Sequence, residues 1–176
     1  MILLGLLGPA GSGRDRIAKH MVAAHNWAQY RMGGPVREML ELIGLMPEQF
    51  LPGQRDAPLF QSSPAGIEKS LSEWGVAQWP DLWRAMASRE IRNIAPLGYP
   101  GIVISDLQSD EDADWVRSNG GTIWHTQSID PAIGTPSTNV KHHLDDDIML
   151  LTSPVTEVGP LVDNVLPDTL ARYVVK

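Results

Sequence analysis

Apolar residues open the chain in a nearly unbroken run, Ile2, Leu3, Leu4, Leu6 and Leu7, and then change period. A run without alternation reads as a strand buried on both faces, as in a parallel sheet. Past a glycine-rich turn, Ile17, Ala18, Met21, Val22 and Ala24 recur at helical spacing, which predicts a helix from about Asp15 to His25. Lys19 and His20 fall off that stripe and are expected to be solvated. Trp27 to Arg31 reads as a short extended segment, broken by Gly33-Gly34. Pro35 suits a first helical position and Gly44 a C-terminal stop, with Val36, Met39, Leu40 and Ile43 on one apolar face. Residues 46–65, rich in Pro, Gly, Gln and Ser, predict a long loop with room for a helical turn. A helix is expected near Ile67–Trp74, closed by Gly75. Pro80 can start the next, with Leu82, Trp83, Met86, Ala87, Ile91 and Ile94 inward and Arg84, Arg89 and Arg92 on the polar side.

The second informative run is Gly101-Ile102-Val103-Ile104-Ser105-Asp106. A β-branched apolar run ending in Asp reads as a buried parallel strand with an acid at its carboxyl end, the edge at which open α/β sheets bind ligands. A helix at about Glu111–Ser118 ends at Asn119-Gly120-Gly121 and feeds a strand at Thr122–Thr126. Gln127 to Lys141 is polar and holds Pro131, Gly134 and Pro136; the region of about 127–147 is a candidate lid loop. Ile148–Leu151 reads as a strand, and the tail as docking with one helix around Leu161–Leu166. The order of elements implies an α/β three-layer sandwich with a mainly parallel sheet, in a single domain spanning 1–176 with a helical region at about 33–95.

Composition narrows the function classes. The 176 residues suffice for one domain with a real core, and 43% hydrophobic content marks a globular chain. A net charge of −7 opposes sequence-independent DNA binding, which needs a basic face. With no cysteine, neither a disulfide framework nor a thiolate metal site can form, which is compatible with a reducing cytoplasm. The first apolar stretch is short and lacks a basic leader, so it reads as a core strand and not a signal peptide; no run is long enough to span a membrane.

The chemistry concentrates in Gly8-Pro9-Ala10-Gly11-Ser12-Gly13-Arg14-Asp15-Arg16. Glycines let successive N–H groups point at one anion, and the following helix adds its positive end. Gly8 and Gly13 have the spacing of a phosphate-binding loop, G-x-x-x-x-G-K-[ST], but Arg14 and Asp15 stand where Lys and Ser/Thr are usual. With this loop the expected fold class is of the P-loop NTPase type. Asp106 either caps the following turn or helps hold Mg²⁺, and its match with the glycine loop favours the second. Arg37 is a surface charge or a substrate-phosphate contact; Arg55 lies in the long loop. His142-His143 with Asp145-Asp146-Asp147 resembles a metal cluster, but adjacent residues on a strand face opposite ways and Asp runs are usually solvated.

Four stretches carry a family resemblance. Gly13-Arg14-Asp15-Arg16 aligns with a G-K-D-T core, and Gly34-Pro35-Val36-Arg37-Glu38-Met39-Leu40 with a Pro-Leu-Lys-Glu segment. Leu71 to Gly75 with Trp83 is similar to Leu-Gln-x-x-Gly and a later Trp. Ile102–Asp106 with Asp112 and Gly120-Gly121 is like an I-S-D-V-R-F-x-N-E block and its following Gly-Gly. Together they resemble the deoxynucleoside monophosphate kinases of tailed bacteriophages. The chain departs from that pattern at Arg14, Arg16, Gln108 and Asp112.

The resemblance implies ATP-dependent phosphoryl transfer to a deoxynucleoside monophosphate, with Gly8 to Arg16 binding ATP. Arg14, Asp15 and Asp106 would be catalytic, Asp15 and Asp106 would hold Mg²⁺, and Arg37, Arg55 and Arg84 would grip the acceptor phosphate. A homodimer is open, no membrane is involved, and the setting would be the cytoplasm of an infected bacterial host. Two alternatives stand beside it. Some phage relatives phosphorylate 5-hydroxymethyl-deoxyuridine within DNA, a hydroxyl acceptor for which Asp15 could act as base. The altered Arg14, Arg16 and Gln108 could instead mark a catalytically weak relative that only binds nucleotide.

Overall fold

A computed structural model of the protein describes residues 1–51, 53–107, 109–129, 147–153 and 157–174. Its elements are β1 (Ile2–Leu7), α1 (Arg14–His25), β2 (Ala28–Tyr30), α2 (Gly34–Leu42), α3 (Pro64–Gln78), α4 (Leu82–Ile94), β3 (Gly101–Leu107), α5 (Asp110–Ser118), β4 (Thr122–Ser128), β5 (Ile148–Thr152) and α6 (Val158–Val174). A short 3-10 turn at Pro47–Phe50 occupies the long loop. Gln108, the lid region at 130–146 and the His142–Asp146 part of the proposed cluster lie outside the described residues.

The chain falls into two compact units, Met1–Arg31 with Arg89–Lys176, and Met32–Ser88. The first holds a five-stranded sheet in the order β2-β3-β1-β4-β5, with every described pairing parallel. β1 and β3 are buried almost throughout, as a strand covered on both faces must be. On one face Leu4, Leu6, Val103, Trp124 and Leu150 pack with Ile17, Ala18 and Met21 of α1 and Val162 and Leu166 of α6. On the other, Val116 of α5 closes over Gly5 with Leu107 and Ile123. Helix, sheet and helix make the expected three layers. The chain lays β2 and β3 to one side of β1, then β4 and β5 to the other. β1 therefore sits where the strand order reverses, the place at which such sheets bind ligands.

The second unit is helical. Val36 and Leu40 of α2 and Leu45 form its centre, covered by Phe50, Leu59, Ile67, Leu71 and Trp83.

Three elements differ from expectation. α3 starts at Pro64, capped by the Ser63 hydroxyl on the Gly66 N–H, and runs through Gly75 to Gln78. Gly75 is buried inside the helix because the Trp83 indole lies against it; a Cβ there would collide with that ring. α6 is 17 residues long and continues through Pro167, held by the packing of Val162, Leu166 and Leu170 on the sheet. Gln127 and Ser128 belong to β4, paired with Leu151 and Thr152 of β5. Among the described residues no helix is long and apolar enough to cross a membrane.

Candidate functional site

The glycine turn between β1 and α1 is held open by its own backbone and by three neighbouring strands. Gly11 (φ 82°) and Gly13 (φ 88°) adopt left-handed conformations that favour glycine. The Ser12 N–H closes a turn on the Pro9 carbonyl at 3.2 Å. The α1 ladder starts with the Ile17 N–H on the Gly13 carbonyl, 3.0 Å, so the amides of Arg14 and Asp15 have no acceptor within the helix. Gly13 provides no side-chain cap. The start of α1 thus presents backbone donors and a positive dipole end, the arrangement that binds phosphate.

Ser12 is fully buried, and its hydroxyl points into the protein. It lies 2.6 Å from the Thr126 hydroxyl, which itself donates to the Leu7 carbonyl at 3.3 Å. The Thr152 hydroxyl donates to the Ser12 carbonyl at 2.8 Å. Arg16 reaches the Ser153 carbonyl, also at 2.8 Å. The carboxyl ends of β4 and β5 therefore brace the turn from below. Gly8 is required for this closeness, since a Cβ would collide with the Thr126 carbonyl and hydroxyl.

β3 supplies the charged side. Gly5 pairs with Ile104 and Leu7 with Leu107, so two steps on β1 match three on β3. This irregularity falls at Ser105 and Asp106, and such bulges re-aim side chains at strand ends. Asp106 is half-buried there. The Arg14 guanidinium donates to the Leu107 carbonyl at 2.7 Å. Burial pushes its pKa below the ordinary value, while the Asp106 and Asp15 carboxylates pull it back up. An arginine remains charged under such opposing influences. Asp15 is exposed and pairs with Arg31 at 2.9 Å. Asp15 and Asp106 offer hard carboxylate oxygens, the donor class that Mg²⁺ takes together with several waters, so this donor set fits that ion.

The remaining candidates lie in the helical unit, each beside a carboxylate. Arg37 pairs with Glu68 at 3.2 Å and stacks over Phe50, 5.5 Å from its ring centre. Arg55 is 4.0 Å from Asp56, and Arg84 is 2.6 Å from Asp81. Asp147 is the described member of the His142–Asp147 stretch. It is buried and receives Arg117 at 2.6 Å and His125 at 2.8 Å. Burial disfavours the Arg117 cation, but Asp147 and then Asp114 outweigh it and raise its pKa.

Thr126, Thr152 and Ser153 were not foreseen as parts of the site. Thr126 lies two residues inside the end of β4 and Thr152 ends β5, so their role is legible only once those strands are known to lie under the loop.

No family model matches the chain, and no curated protein matches it. Among solved structures it is similar to an unliganded sugar kinase from a Janibacter species, at 15% identity and a TM-score of 0.54, covering 96% of this chain and 95% of that one. It is also similar to a protein from Chloroflexus aurantiacus assigned as a kinase, at 10% identity and a TM-score of 0.50, covering 96% and 97%. At these identities the likeness is one of fold, an α/β fold with a parallel sheet flanked by helices.

Proposed function

We propose that the protein is an ATP-dependent phosphotransferase whose acceptor is a deoxynucleoside monophosphate. The observation that carries this is the uncapped start of α1, braced at the carboxyl edge of the sheet with Asp106 on the neighbouring strand. The amides of Arg14 and Asp15 would hold the donor phosphates, and the Arg14 charge would offset charge developing on the transferred group. An oxygen of the acceptor phosphate attacks the γ-phosphorus, the bond to the bridging oxygen of ADP breaks, and ADP leaves with that electron pair. A phosphate acceptor is already anionic and needs no strong base, so the work is alignment and electrostatics. Mg²⁺, when bound, neutralises phosphate charge; Asp15, Asp106 and waters would hold it. Arg37, Arg55 and Arg84 are the acceptor-phosphate candidates. The pairs of Arg37 with Glu68 and of Arg55 with Asp56 are both exposed enough to exchange for a phosphate.

A hydroxyl acceptor is the second reading, in particular 5-hydroxymethyl-deoxyuridine in DNA. Two observations favour it: Asp15 is an exposed carboxylate able to act as base, and one structural neighbour is a sugar kinase. The test offers labelled ATP with Mg²⁺ to each deoxynucleoside monophosphate, to hydroxymethyluracil-containing DNA and to free sugars. A labelled deoxynucleoside diphosphate is the expected product. Label in DNA or sugar alone would overturn the first reading, and ATP binding without transfer would leave a nucleotide-binding protein.

A further inference from the structure

At the far end of α1 from the phosphate loop, two imidazoles and a carboxylate converge. His20 Nε2 lies 2.9 Å and His25 Nε2 2.8 Å from the same oxygen, Oδ1 of Asp163 on α6. The three ligating atoms all lie within 4.8 Å of one another. The two rings meet edge to face, with centres 5.4 Å apart. Residues five apart are not natural neighbours on a helix face, where three and four are the contacting intervals. A carboxylate on a separate helix therefore gathers these rings.

The surroundings leave room for them. His20 lies against Gly159 of α6, where a Cβ would come 2.9 Å from its Cε1 and 3.3 Å from its Nδ1. The rings are 24% and 27% exposed and Asp163 is 51% exposed, so the ligand atoms gather at the surface, partly covered and open to water. Hydrogen bonds from His20 and then His25 hold the Asp163 carboxyl below its ordinary pKa, which keeps it anionic.

We propose that His20, His25 and Asp163 bind a late first-row divalent transition ion, with Zn²⁺ as the probe, clipping the end of α1 to α6. Two neutral imidazoles, one carboxylate and a water complete a four-coordinate zinc set. Mg²⁺ and Ca²⁺ prefer all-oxygen shells and are excluded by the two nitrogens. Bonds of about 2.0–2.1 Å place tetrahedral ligand atoms roughly 3.3 Å apart. Each nitrogen now 2.8–2.9 Å from the Asp163 oxygen must draw back from it by about half an ångström, which side-chain rotation supplies. The ion would close α1 onto α6, whose residues already share one core face. This inference does not depend on the nucleotide reading.

The test uses tag-free, chelator-washed protein titrated with Zn²⁺ against a chromophoric chelator. One equivalent should bind tightly, Mg²⁺ should not compete, and Co²⁺ should give a visible four-coordinate spectrum. Zn²⁺ at a hundredfold over Kd should raise the Tm by about 5–10 °C. His20→Gln, His25→Gln and Asp163→Asn should each weaken Zn²⁺ by about a hundredfold. Gly159→Ala, which keeps all three ligands, should weaken it less, by crowding His20. His142→Gln with His143→Gln should leave binding unchanged. Circular dichroism checks that each variant is folded. Equal Zn²⁺ affinity in wild type and a folded His20→Gln/His25→Gln variant would overturn the site. So would loss of binding in the His142→Gln/His143→Gln variant.

Discussion

The phosphate loop and the arginines of the helical unit are both candidates for holding phosphate, yet they are fixed in different ways. The loop is held by buried hydrogen bonds from residues far away in sequence: Ser12 to Thr126 across 114 positions, and Thr152 to the Ser12 carbonyl across 140. Arg55 and Arg84 meet carboxylates one and three residues away, and Arg37 meets Glu68 across 31. Buried bonds set a shape and are costly to lose, whereas exposed ion pairs contribute about 0–1 kcal/mol and exchange readily. The difference suits two tasks. A donor cradle gains from being rigid before nucleotide arrives, and an acceptor grip must release its product.

Substitutions can break or sharpen this contrast. The largest expected effect is Arg14→Ala, which removes both a cation and a donor to the Leu107 carbonyl; turnover should fall by about 10²–10³ in a coupled ADP-release assay. Arg14→Lys, if it restores turnover while Arg14→Ala does not, ties the loss to charge and not to the lost brace. Gly8→Ala comes next. Its Cβ collides with Thr126, so stability should drop by about 1–3 kcal/mol, read from thermal unfolding, and affinity for an ATP analogue should drop with it. Thr152→Val keeps the side-chain shape but leaves the buried Ser12 carbonyl without that donor. A cost of about 1–3 kcal/mol by denaturant unfolding is expected, with weaker nucleotide binding. Arg37→Ala should be smallest in stability, within about 0.5 kcal/mol, and should raise the KM for the acceptor while leaving that for ATP unchanged. An Arg37→Ala variant that lost ATP affinity instead would erase the contrast.

What could be read from sequence follows the same division. The loop and β3 were legible because their signals are local: glycine spacing, an unbroken apolar run and an acid at its end. His20 was misread as solvated because helical periodicity reports only the stripe facing the core, and its partner Asp163 is 143 residues away. Gly75 looked like a helix stop because glycine usually is one; only the packing of Trp83 shows why it lies inside α3. Asp147, read within a solvated acidic run, is buried because Arg117 and His125 neutralise it from two other elements. Each case concerns a residue whose role is decided by a partner that local pattern cannot reveal.

The long reach of the hydroxyl brace also bears on biosynthesis. Residues 8–13 leave the ribosome well before the groups that hold them in shape, which arrive only with Thr126 and Thr152. The motif therefore exists on the nascent chain well before it can work. A chain cut short ahead of Thr152 would carry the complete glycine signature and an unfinished cradle.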